Sequence, residues 1–168
     1  MEAIKKNNIE KVRELISTLD INGTLKENDG SERTPLQYAA NAGHTEIVQL
    51  LLKYGADINK GRIDTGTTPL YTAAFDGHLE VVRLLIEKSA DVNKANNNGF
   101  TPLFIASFSG HLEVVRLLIE HNADVNKANN DGFTSLYVAS QEGHLEVIKL
   151  LIENGADIHK SDNGGCTE

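Results

Sequence analysis

Between Thr68 and Phe100 the apolar positions fall into two short helical patterns followed by a polar connection. Leu70, Ala73 and Ala74 occupy i, i+3 and i+4, the spacing of one helix face, and the two alanines leave that face open to close packing. Thr68 and Pro69 predict the helix start, because a threonine hydroxyl caps free amides and proline at the first helical position already has the required φ. Gly77 predicts its end, at a tight turn that needs positive φ. A second helix is predicted from Leu79. Its charged residues, Glu80, Arg83 and Glu87, form one narrow stripe, and Leu79, Val81, Val82, Leu84, Leu85 and Ile86 surround it. A helix this apolar has to be sandwiched between neighbours, with only the stripe in water. The Asn- and Gly-rich residues 89–99 predict a turn or hairpin projecting sideways, anchored by Val92.

The same unit is written several times. Residues 77–87 return without change as 110–120 and, lightly edited, as 143–153, while 43–53 is a looser copy. The threonines that open the copies, Thr34, Thr68, Thr101 and Thr134, are 34, 33 and 33 residues apart. A fixed period of this size predicts a stacked array in which each unit touches only its neighbours. The units predicted are 34–67, 68–100, 101–133 and 134–168, the last including the start of a truncated further unit. Residues 1–33 fit a degenerate N-terminal capping unit, since residues 8–16 overlay 78–86 with Lys11 and Glu14 where Val81 and Leu84 stand. Ser89 occupies the position of Gly55, Asn122 and Gly155, so a left-handed helix end is expected there.

The two ends of the array differ. The last second helix keeps Leu145, Val147, Ile148, Leu150, Leu151 and Ile152, and residues 161–167 overlay 128–134. This predicts continuation of the array, or self-association or another chain covering the C-terminal face, with Val147 and Leu150 in the exposed strip if nothing covers it.

Composition narrows the chemistry. A formal charge of −8 disfavours nucleic acid and anionic lipid as general partners, because both call for basic footprints. The one cysteine, Cys166, makes neither an internal disulfide nor a thiolate metal site. With no signal-peptide pattern at the start and no apolar run near the ~20 residues of a membrane span, an intracellular, cytoplasmic setting is expected. The Gly-His histidines, His44, His78, His111 and His144, recur once per unit and so stand about 8–10 Å apart, too far for a shared metal. Their expected role is a hydrogen bond across the helix turn. The Asp/Asn loops fail the calcium-loop spacing, since Pro102 falls where the bidentate glutamate belongs when Asp91 is position 1. Lys60, Lys94, Lys127 and Lys160 form a regular row, expected to be a solvated edge. No cofactor, metal or catalytic residue is expected.

The recurring Thr-Pro-Leu at 34–36, 68–70 and 101–103, the Gly-His pairs, and Gly-Ala-Asp-Ile-Asn at 55–59 with its repeats at 90–93 and 123–126 strongly resemble the ankyrin repeat. The resemblance covers about residues 34–160. It implies an α-dominated repeat solenoid of helix, turn, helix and hairpin units, and non-catalytic protein binding. It also implies two alternatives: an inhibitor that occludes an enzyme such as a kinase, and an adaptor segment of a larger protein. The family often has histidine after Thr-Pro-Leu; here Gln37, Tyr71, Phe104 and Tyr137 stand at that position, which puts the histidine's inter-loop hydrogen bonding in question.

In such stacks, partners meet a concave face made of hairpin tips and the exposed side of the first helix. Carried over by position, that face takes Arg33, Thr67, Phe100 and Phe133 from before the threonines. From before the Gly-His pairs it takes Asn41, Phe75, Asp76, Phe108, Ser109, Gln141 and Glu142. The hairpins add Arg62, Asp64, Asn97 and Asn130, with Asn98 and Asp131 beside them. Four of the five phenylalanines fall on this face, so a phenylalanine patch is expected at its centre, with Phe75 and Phe108 exposed.

Overall fold

The computed structural model describes residues 2–26 and 32–159. Its helices come in antiparallel-packed pairs: α1 (Glu2–Lys5) with α2 (Ile9–Leu15), α3 (Pro35–Asn41) with α4 (Thr45–Lys53), α5 (Pro69–Phe75) with α6 (Leu79–Glu87), α7 (Pro102–Phe108) with α8 (Leu112–Glu120), and α9 (Ser135–Glu142) with α10 (Leu145–Glu153). Successive first helices α3, α5, α7 and α9 pack in one row, and successive second helices α2, α4, α6, α8 and α10 in another. The fold is a helical repeat solenoid. A two-residue antiparallel ribbon, β1 (Leu25–Lys26) with β2 (Glu32–Arg33), closes the first connection. Later connections are hairpin turns closed by Arg62 N–H to the Thr67 carbonyl, Asn96 to Phe100 and Asn129 to Phe133, at 2.9–3.0 Å.

Local chemistry fixes the helix ends. The hydroxyls of Thr34, Thr68, Thr101 and Thr134 each accept the backbone N–H three residues on, at 3.1–3.3 Å. Ser89 and Asn122 have φ of 68° and 65°, in the left-handed region shared with Gly55 and Gly155. Side-by-side packing of the first helices depends on small residues: Ala39, Ala40, Ala73, Ala74, Ala106 and Ala139 are fully buried. The second helices contribute Ile47, Val48 and Leu51, then Val81, Val82 and Leu85, then Val114, Val115 and Leu118, to one continuous core. At the N-terminal end Lys11 and Glu14 are exposed and paired at 2.6 Å, as suits a unit with one face in water.

The opposite end departs from expectation. Val147 and Leu150 are buried. With Leu151 they face inward, toward α8 and α9, whereas Leu145, Ile148 and Ile152 share the outward face at i, i+3 and i+7. Leu145 is 68% exposed and Ile152 47% exposed, while the corresponding Leu79, Leu112, Ile86 and Ile119 are half-buried. Residues 161–167, with Lys160 and Cys166, lie outside the described residues.

The Gly-His histidines also act differently from expectation. Instead of bonding across their own turn, His78, His111 and His144 donate from Nε2 to the backbone carbonyls of Asn41, Phe75 and Phe108, in the preceding unit, each at 2.9 Å. The imidazole therefore joins neighbours. Gly43, Gly77 and Gly110 make room for the next unit's ring: a Cβ on Gly77 would stand 2.6 Å from the His111 ring.

A second joint lies at the other end of each unit. The side chain of Asn93 accepts from Asp124 N–H at 2.8 Å and donates to the Asn122 carbonyl at 3.0 Å, and Asn22 and Asn126 bridge to the following unit in the same way. Lys60 and Lys127 reach back to the carbonyls of Asn22 and Asn93 at 2.6 and 2.8 Å. Two lysines of the expected solvated row thus tie units together.

Candidate binding surface

Hairpin and first-helix residues meet in two groups, one polar and one aromatic. In the polar half, Arg33 donates from Nη1 to Asn41 Oδ1 at 3.0 Å, and Asn41 donates from Nδ2 to Asp76 Oδ2 at 2.5 Å. Arg62 and Asp64 form an ion pair at 2.6 Å on the longer hairpin, and the guanidinium holds the Asp64 carboxyl below its ordinary range. Thr67 shares a hydroxyl hydrogen bond with Thr65 at 2.9 Å. Ile63, which sequence patterns did not single out, is 73% exposed on this hairpin. Its signal was a large aliphatic residue in a hairpin whose neighbouring copies read Lys-Ala-Asn-Asn-Asn-Gly at 94–99 and Lys-Ala-Asn-Asn-Asp-Gly at 127–132.

Asn97 and Asn130 connect adjacent tips. Asn97 donates from its side chain to the Asp64 carbonyl and from its amide to the Thr65 carbonyl; Asn130 does the same to Asn97 and Asn98, all at 2.9–3.1 Å. These bonds hold the tips in register.

The aromatic half is built from positions that are equivalent in successive units. Phe100 stacks on Phe104 with ring centroids 4.8 Å apart, and Phe133 stacks on Tyr137 at 4.5 Å. Phe104 and Tyr137 hold the position where the family often has histidine. In the earlier unit Gln37 stands there instead, and its side chain donates to the carbonyls of Lys60 and Thr67 while accepting from Thr34 N–H. Inter-loop hydrogen bonding is therefore kept at Gln37, and ring stacking takes its place in the two later units.

Between the stacked pairs lies an open groove of about 460 Å³. Of the predicted residues it brings together Phe100, Phe108, Asp131, Phe133 and Gln141; sequence patterns did not assign Tyr71, Phe104, Ile105 and Tyr137, which also line it. Burial raises the Tyr71 phenol above its ordinary pKa, so it stays neutral there. Phe75 and Phe108, at equivalent helix ends, are 45% and 39% exposed. Ser109 follows as the α7 cap, and Gln141 and Glu142 are exposed at the end of α9. Among the described residues no group of three or more His, Cys, Asp or Glu side chains is placed to hold a metal ion, and no helix is long and apolar enough to cross a membrane.

Comparison with known proteins agrees with this architecture. The family pattern described as ankyrin repeats (three copies) matches residues 1–96 and 89–162. An ankyrin repeat protein of fowlpox virus (strain NVSL) is 39% identical over 59 residues, which is 35% of this chain and 13% of the viral protein. The chain thus spans only a small part of that relative's length. Matched over most of its residues and folded as stacked helix pairs, this chain belongs to the ankyrin repeat family, whose members are generally protein–protein interaction modules and generally non-catalytic.

Proposed function

We propose that this chain is a non-catalytic module that binds a protein partner on its hairpin and first-helix face, with Phe75 and Phe108 as anchors. The observation that carries this is the pair of half-exposed rings at equivalent ends of adjacent helices. Exposed aromatic rings supply large contact area at little conformational cost, and hot spots concentrate on such residues. The units 1–33, 34–67, 68–100, 101–133 and 134–168 act together as one presenting surface, held in register by the histidine and asparagine joints. A charge of −8 favours a partner with basic character over nucleic acid or anionic lipid. Occlusion of an enzyme, or tethering within a larger protein, would use the same face and is separated from simple scaffolding by the partner's identity.

The test compares wild type with Phe75→Ala plus Phe108→Ala in affinity capture from host extract. The double variant should lose specific partners while its thermal unfolding stays close to wild type, because half-exposed side chains contribute little packing. Unchanged capture by a folded double variant would refute the assignment.

A further inference from the structure

The groove between the two stacked aromatic pairs has a chemistry of its own, and its occupant can be specified on the basis of the binding face proposed above. Phe104 and Phe108 of α7 and Phe133 and Tyr137 of the next unit are among the residues that line it. Asp131 is the charged residue among those lining it, and no basic side chain lines it. The Asp131 carboxylate accepts from Asn129 Nδ2 at 3.3 Å, a long contact that leaves acceptor capacity toward solvent. Glu142, exposed at the end of α9, adds a second negative charge beside the groove-lining Gln141.

We infer that this groove receives a short segment of a partner protein that carries an aromatic or branched aliphatic side chain next to a lysine or arginine. The apolar side chain fills the space between the stacked pairs, where the walls offer carbon on both sides. The cation meets Asp131 in a charge-assisted hydrogen bond, and its methylene stem lies across the ring faces, whose quadrupoles attract positive charge. An acidic segment is excluded by the same groups: it would bring a carboxylate against Asp131 with no basic side chain in the groove to receive it. At about 460 Å³ the groove is within the range of ordinary ligand pockets and is larger than one side chain needs, so the neighbouring residue of the segment also enters.

The experiment is a selection of random twelve-residue peptides displayed on phage against the immobilised full chain. The enriched peptides are then synthesised with a fluorescent label and titrated by anisotropy. Enriched sequences should pair an apolar side chain with Lys or Arg one or two residues away. Tyr137→Ser and Asp131→Lys, each checked for retained helicity, should weaken binding about ten-fold or more, and the Asp131 effect should shrink as salt is raised. Lys149→Ala, exposed on α10 and outside the groove, should leave it unchanged. Peptides of acidic composition, peptides unaffected by both groove variants, or a selection that yields no binder would overturn this inference. So would self-association of the chain that Tyr137→Ser abolishes, because a second copy would then be the occupant. Phe108 belongs to both readings, so partner loss in the single Phe75→Ala variant is the readout for the binding face alone, and the groove inference can fail while that face stands.

Discussion

Replacing Ser135 with proline should stabilise the fold, and the structure allows the size of the effect to be worked out. Pro35, Pro69 and Pro102 open the first helices of three units, and Ser135 stands at the same position in α9. Thr134, the residue before it, has φ −99° and ψ 170°, an extended conformation that tolerates a following proline and is close to the −86° and 166° of Thr101 before Pro102. The first amide of a helix has no intrahelical acceptor, so its loss costs nothing. The Ser135 hydroxyl is also fully buried and has no hydrogen-bond partner. Removing an unsatisfied buried hydroxyl recovers about 1–3 kcal/mol, and restricting the unfolded chain adds about 0.4–1 kcal/mol. The lower ends of the two ranges sum to about 1.4 kcal/mol, or a rise in Tm of about 3–6 °C for a chain of this size. Urea unfolding followed by far-ultraviolet circular dichroism measures the change, with Ser135→Ala separating the hydroxyl from the ring. Alanine should give roughly two thirds of the gain. A proline variant with unchanged or lowered midpoint would refute the reasoning.

Other perturbations test the joints and turns. Gly77→Ala should destabilise by more than about 1 kcal/mol in the same urea assay, since residue 77 has φ 74° and the new methyl would collide with the His111 ring. Ser89→Gly, at φ 68° and exposed, should be neutral or stabilise by up to about 1 kcal/mol. Asn93→Ala removes two inter-unit hydrogen bonds and should cost about 1–3 kcal/mol, with faster amide exchange at Asp124. The Asp64 carboxyl, held low chiefly by its hydrogen bond from Arg62, should titrate below 3.8 by NMR and return toward the ordinary value in Arg62→Gln. Because the folded-state value is the lower one, the pair's small contribution is present at neutral pH and is lost as pH falls through that value. Leu145→Lys with Ile152→Lys should abolish any concentration-dependent sedimentation of the chain that arises from its outward C-terminal face.

What the sequence revealed depends on the range of the interactions involved. Threonine caps, positive-φ turns and the exposure of Phe75 and Phe108 follow from residues within one unit, so local pattern predicts them. The destination of the histidine Nε2 does not: His111 meets a carbonyl 36 residues earlier, and only the stacking geometry decides whether it reaches its own turn or its neighbour's. The pattern does not place Val147 and Leu150 on the inward face, because an apolar helix buried on two sides hides which side each residue faces. The pattern looks the same when one neighbour is absent. The groove was half legible. Phe100, Phe108 and Phe133 stood out as rare aromatics, but Phe104 and Tyr137 occupied a position where a missing histidine drew attention instead of the ring that replaced it. Gln37 shows why that position admits both solutions: a polar side chain there reaches two loop carbonyls, and a flat ring covers the same space by stacking.

The joints between units have a consequence for how such a chain can grow. His78, His111 and His144 each reach backward to a carbonyl, and Asn93 and Asn126 each reach forward to an amide and a carbonyl, so these seams are built half from the segment before and half from the segment after. A copied block of 33 residues therefore brings with it both the forward half and the backward half. Inserted between two existing blocks, it meets matching chemistry on either side without any further substitution. Length in this architecture is decoupled from interface invention. The identity of residues 77–87 and 110–120 is what a copying event of that kind would leave behind.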